Sequence, residues 1–184
     1  MASGVKNTRR RWAGPFRALR RDRRGATAIE FSLLALPFAL LAFAILETTI
    51  SFAAQQVLTN AVDRIARDIR TGQLTLANTT EQQFRDKICG EISVIVGSSC
   101  SGLVWDLKSY PTFADVPKSI PRSPDGDIDA TGFDYDPGID SSIVSLRLFY
   151  KWPVLTDVMR SSMSNLPDGK TLLYASVTWQ NEPF

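Results

Sequence analysis

From Phe31 to Leu46 the chain reads FSLLALPFALLAFAIL, sixteen residues without a charge, and apolar character resumes from Thr48 to Ala54 beyond Glu47. A helix over residues 31–54 would be about 36 Å long at 1.5 Å per residue, against about 30 Å of hydrocarbon in a bilayer. Spanning is feasible, and a span leaves few folds open. In lipid each backbone polar group must find its partner inside the segment, which a helix provides. Pro37 removes one donor within the run and predicts a kink that membrane helices tolerate.

The helical signal does not stop at the end of the run. Ile50, Ala54, Val57, Leu58, Ala61, Val62, Ile65 and Ile69 recur at steps of three and four, while Gln56, Asn60, Asp63, Arg64, Arg67 and Arg70 fall mainly on the other side. Thr71-Gly72 is the expected stop, with Arg67 and Arg70 in the last turn and Gly72 free to take a left-handed cap. The pattern predicts one helix of about 40 residues, far longer than a usual globular helix. Half of it suits lipid and half suits a protein core.

Charge fixes a direction. Residues 1–25 carry nine basic side chains against Asp22, a net of +8, and the rest of the chain carries 12 basic and 18 acidic residues, a net of −6. A basic run binds nucleic acid in some proteins, but here it abuts the apolar run, so the positive-inside rule is the better reading and no nucleic-acid partner is expected. The amino end is then cytoplasmic and the remainder exported. The expected organisation is a basic leader (1–25), a membrane helix (26–54), its amphipathic extension (55–72) and an exported domain (73–184).

The exported part reads as α+β. Thr80 to Ile88 is a short helix with Thr80 as cap, Phe84 and Ile88 on one face, and Cys89-Gly90 at its end. Leu103–Tyr110, Ile143–Trp152 and Leu172–Gln180 read as strands. In the second, Val144, Leu146, Leu148 and Tyr150 alternate with Ser145, Arg147 and Lys151, as in a half-buried antiparallel strand. Such a sheet needs a cover, and the stripe of the long helix supplies it. The expected fold is a pilin-like long helix packed on a small antiparallel sheet.

Cys89 and Cys100 enclose a short segment, and an even count in an exported domain favours a disulfide, with two buried thiols as the alternative. Zinc lacks ligands, because the chain has no histidine and no second cysteine pair. The missing histidine also excludes Ser-His-Asp and Cys-His catalysis, and neither a P-loop nor a dinucleotide glycine motif occurs. The expectation is therefore no enzyme and no cofactor. One polar cluster stands apart: Asp125, Asp127 and Asp129, followed by Asp134 and Asp136, alternate as oxygen ligands do in calcium loops. The match is partial, with Ala130 where an EF-hand places glycine and no helix pattern following. The alternative is a solvated loop whose Asp, Gly and Pro make turns.

The leader ends Arg23-Arg24-Gly25-Ala26, and Glu30 is the first charge beyond it. This junction resembles the processing site of type IV prepilins and pseudopilins. Together with the apolar helix, the helix end ARDIRTGQ, the segments FRDKICGEI and LVWDLKSY, and the ending ASVTWQNEPF, it resembles a TadE-like protein of the tight-adherence (Flp) pilus system. Ala26 stands where many type IV pilins carry phenylalanine. The resemblance implies a minor pilin or pseudopilin of a bacterial inner membrane, possessing a single span. Its implied partners are other pilins, a prepilin peptidase cutting after Gly25, assembly-platform proteins and membrane lipid, with incorporation into the pilus left open.

It further implies that Glu30 enters the membrane and pairs with the new amine of a neighbouring subunit. An unpaired acid there would cost about 2.5 to 3.5 kcal/mol near a bilayer centre. The alternative is an interfacial Glu30 with no partner. Glu30, Pro37 and Glu47 are the candidate assembly residues, although a residue placed like Glu47 is more often simply solvated. A competing reading treats the amino end as a secretory signal, with Ser51-Phe52-Ala53 before the cut, and the product as a periplasmic binding protein. A third is an anchored enzyme using the Asp-rich loop with a metal.

Overall fold

The structure is a computed structural model that describes residues 25–96 and 100–183. These fall into two units, divided between Phe43 and Ala44. The leader before Gly25 lies outside the described residues.

Helix α1, Ala26–Arg70, is one continuous element of 45 residues that runs through Pro37. It is long and apolar enough to cross a membrane, and the most apolar stretch of it is wholly unburied. In the unit that ends at Phe43, the side chains of Phe31, Leu33, Leu34, Leu36, Phe38, Leu41 and Phe43 all stand exposed.

The second unit, Ala44–Phe184, holds the rest of α1 and the other elements among the described residues. These are α2 (Glu81–Val96), β1 (Leu103–Tyr110), a 3-10 turn (Phe113–Asp115), β2 (Ile143–Trp152), α3 (Asp157–Met163) and β3 (Thr171–Gln180). The strands form an antiparallel sheet in the order β1-β2-β3. Both long-range expectations about the fold hold. The buried row of α1, Ala54, Leu58, Ala61, Val62, Ile65 and Ile69, packs with Phe84, Ile88 and Ile92 of α2 against Leu107, Val144, Leu146, Leu148 and Trp179 of the sheet. Ile50 was expected in that row but is exposed, because the row passes through Ser51 and Glu47 instead.

Local chemistry ends the helices. At the end of α1, Gly72 has φ +71°, its N–H donates to the Ile69 carbonyl at 3.0 Å, and the Gln73 N–H donates to the Asp68 carbonyl at 2.8 Å. This is a Schellman cap, with the left-handed glycine at its usual place. At the start of α2, the Gln83 N–H donates to Thr80 Oγ1 at 3.3 Å and the Thr80 N–H donates to Gln83 Oε1 at 2.9 Å, a reciprocal capping box. The expected end of α2 at Cys89-Gly90 is corrected, for it continues to Val96. A glycine costs a helix only about 1 kcal/mol relative to alanine, and Ile92, Ile95 and Val96 carry the apolar stripe on into the core.

The expectation of a half-buried β2 is also corrected. Seven consecutive residues, Val144 to Tyr150, are buried, including Ser145 and Arg147. The second face is covered by the long connection between β1 and β2, which supplies Ile120, Ile128 and Phe133, and by Leu166. Phe149 sits between Phe133 and Tyr174, with ring centroids 5.5 and 5.0 Å away. A central strand covered on both faces has no solvent side.

Candidate functional site

The residues with a candidate role lie along α1. Gly25 and Ala26 stand exposed at its start, and a side chain built on Gly25 would meet nothing within 4 Å. Nothing in the fold demands glycine there. Glu30, one turn on, is exposed among apolar neighbours, and Pro37 lies inside the helix.

Glu47 differs from that group. It is 6% exposed, on the buried row with Ser51, Ala54 and Leu58. Its carboxylate accepts hydrogen bonds from the Leu155 N–H, the Thr156 N–H at 3.2 Å and the Thr156 hydroxyl. Those donors belong to the segment that opens α3, and the Thr156 hydroxyl, turned to Glu47, makes no cap to its own helix. A buried carboxylate is tolerable only when donors replace the water it loses. Here three donors do so, and they hold α3 against α1.

Other polar contacts tie α1 to β3 and to the residues just after it. Gln55 bonds the backbone of Tyr174 on β3. The Glu182 N–H donates to the Arg70 carbonyl at 2.9 Å, and the Glu182 carboxylate pairs with Arg70 at 3.2 Å. On the other face of the sheet, Arg147 donates to Asp106 Oδ2 from Nε at 3.1 Å and Nη2 at 2.5 Å, both residues being buried. They are direct cross-strand partners, and Asp106 Oδ1 also accepts the Asp134 N–H at 3.1 Å. Arg147 lies 5.5 Å from the centre of the Phe133 ring.

Cys89 and Cys100 form a disulfide, with Cα atoms 5.8 Å apart. It joins α2 to the residues just before β1.

The Asp-rich segment is scattered over separate duties. Asp125 accepts from the Ser123 hydroxyl, Asp129 from the Thr131 N–H at 2.9 Å, and Asp136 from the Gly138 N–H at 2.9 Å and the Ser109 hydroxyl. Asp127 pairs with Lys151 at 2.6 Å and accepts the Ile128 N–H. The Lys151 ammonium, helped by that N–H, holds the Asp127 carboxyl below the usual carboxylate range. Thr131 does the same for Asp129. Among the described residues, no three histidine, cysteine or acidic side chains converge as a metal site.

Several of these partners carried no recognisable signal in the sequence. Glu47 is the exception, since it precedes Ser51, Ala54 and Leu58 at helical spacing and could have been placed on the buried row. Gln55, Thr156, Asp106 and Arg147 find their partners only across long chain separations.

Comparison with known proteins bears on α1. Neither curated proteins nor solved structures gave a match. A family model did, and its span opens at the glycine junction, contains Glu30, Pro37, Glu47 and Gln55, and ends three residues before α1 does. Over residues 25–67, the chain matches the family described as TadE-like protein.

Proposed function

We propose that this chain is a minor pilin or pseudopilin of a tight-adherence (Flp) type IV pilus, with a structural rather than catalytic role. The observation that carries the reading is the TadE-like match that begins at Gly25 and runs along one helix, exposed and apolar at first, then packed into a domain. In this reading the basic leader stays cytoplasmic, a prepilin peptidase cuts after Gly25, and α1 crosses the inner membrane. The domain is then periplasmic, and α1 packs with helices of other pilins at an assembly platform. Glu30 pairs there with the amine that cleavage creates on a neighbouring subunit.

The rival signal-peptide reading removes everything before Ala54. That cut would take away Glu47 and Ser51, both buried in the domain, and strip the donors of Leu155 and Thr156 of their acceptor. Sequencing the mature amino terminus of membrane-extracted protein tests the proposal. Ala26 is the expected first residue, and Ala54 would overturn it. Because a side chain at Gly25 meets nothing in the fold, a block to processing in Gly25→Val would report the peptidase and not misfolding.

A further inference from the structure

The contact between Glu47 and the loop before α3 sets a level along α1, and apolar side chains gather there. Ile45, Leu46, Ile50 and Phe52 are exposed, Phe52 at 71%. At 100° per residue they spread over about 160° of the helix, a broad exposed apolar face. Leu155, whose N–H donates to Glu47, has a side chain 72% exposed. A lone exposed leucine is ordinary. This one stands beside Glu47, at the level of the belt on α1.

The charges at the same end of the domain are paired, although those of α3 and of the turn before β3 stand at the surface. Arg160 pairs with Asp157 at 2.9 Å, Lys170 with Asp168 at 2.8 Å, and Lys151 with Asp127. Glu47 turns inward to its three donors. A groove of about 340 Å³ opens beside the belt, lined by Thr48, Phe52, Met163, Leu172 and neighbours, and is mainly apolar. At the other end of β2, about 30 Å away at about 3.3 Å per residue, lies Ile139, also exposed.

We propose that the loop from Pro153 to Thr156, together with α3, is an interfacial foot. Leu155 and Phe52 sit at the boundary between headgroups and acyl chains of the bilayer that α1 crosses, and the groove takes the chain segments next to the headgroups. Lipid is the occupant because the belt is continuous with the uncharged run before Glu47, the segment long and apolar enough to cross a bilayer. The foot fixes how the domain stands on the membrane: β2 ends toward it and begins away from it. Glu47 is the joint, its charge satisfied from within the domain, while the exposed pair of Asp157 and Arg160 on α3 faces the headgroups. This inference rests on the reading that α1 spans a bilayer.

Full-length protein reconstituted into phosphatidylcholine–phosphatidylglycerol vesicles tests it, with one environment-sensitive fluorophore on Leu155→Cys, Phe38→Cys or Ile139→Cys. Cys89 and Cys100 are disulfide-bonded and do not take the label. Lipids carrying a nitroxide near the headgroup should quench the Leu155 label, those with a deep nitroxide the Phe38 label, and neither the Ile139 label. If the Phe38 label is quenched and the Leu155 label behaves like that at Ile139, the foot is wrong and the span stands. If no lipid quenches the Phe38 label, the span fails and the foot with it. A Leu155 label that shifts to the blue without quenching is covered by protein, which also overturns the proposal.

Discussion

The side chain of Gln55 bonds both backbone groups of Tyr174: its Nε2 donates to the Tyr174 carbonyl at 2.9 Å, and the Tyr174 N–H donates to its Oε1 at 3.3 Å. An amide side chain thus stands where a fourth strand would pair with β3. Edge strands left bare recruit other chains, and proteins block them with local devices.

Gln55→Leu should therefore do two things. It should cost about 1 kcal/mol for the lost hydrogen bonds and increase self-association through β3. Denaturant unfolding reads the first, and sedimentation of detergent-solubilised protein reads the second. Unchanged sedimentation would show that Gln55 does not guard the edge.

Arg147→Met leaves Asp106 buried with the Asp134 N–H as its remaining close donor. Breaking one side of a buried ion pair costs about 3 to 5 kcal/mol, whereas replacing both partners with apolar residues is often neutral. The double variant Asp106→Leu/Arg147→Met should thus recover most of the loss. A thermal melt of both variants checks it.

Cys100→Ser opens a loop whose ends are 11 residues apart. The chain-entropy account puts the loss at about 2 to 3 kcal/mol. Reduction of the parent should give the same loss by denaturant titration, and the variant should no longer respond to reductant.

The pair of Asp127 and Lys151 makes stability depend on pH in a definite direction. Its carboxyl is held below the unfolded value of about 3.9, so its contribution is fully present above that pH and disappears as pH falls through the depressed folded value. Asp168, lowered by Lys170, acts in the same sense. Asp127→Asn should be less stable than the parent near neutrality, and the two stability curves should converge in acid.

Glu30→Gln, on an exposed position of α1, should leave the folded domain and membrane insertion unchanged while reducing association with other pilins. Co-purification of pilin partners measures it, with cleavage after Gly25 verified in the same sample. Equal recovery of partners would remove Glu30 from the assembly contact.

What the sequence made legible was whatever is local or periodic. Helix α1, its end at Gly72, the cap at Thr80 and the three strands all depend on short-range spacing, and all are present; β3 starts one residue earlier than read, at Thr171. The extension of α2 past Gly90 is not legible locally, because a glycine is a usual helix stop and the three apolar residues beyond it show their packing only in the folded core. The second face of the sheet escaped for another reason. Residues 111–142 have no period to detect, and their few apolar side chains matter only once Phe149 is known to lie beneath them. Of the site, the position of Glu47 on α1 is legible but its inward turn is not, since its partners stand more than a hundred residues away.

The apolar row of α1 is synthesised early, and much of what covers it comes late: about 110 residues separate Ile69 from Trp179. At translation rates of about 5 to 20 residues per second, that row waits on the order of ten seconds for β3. The bond from Glu182 to the Arg70 carbonyl then closes a circle that no shorter nascent chain has completed. A growing chain of this protein is thus a sticky object until β3 has been made, and its escort, whether lipid, chaperone or translocation channel, has to keep hold of it until then.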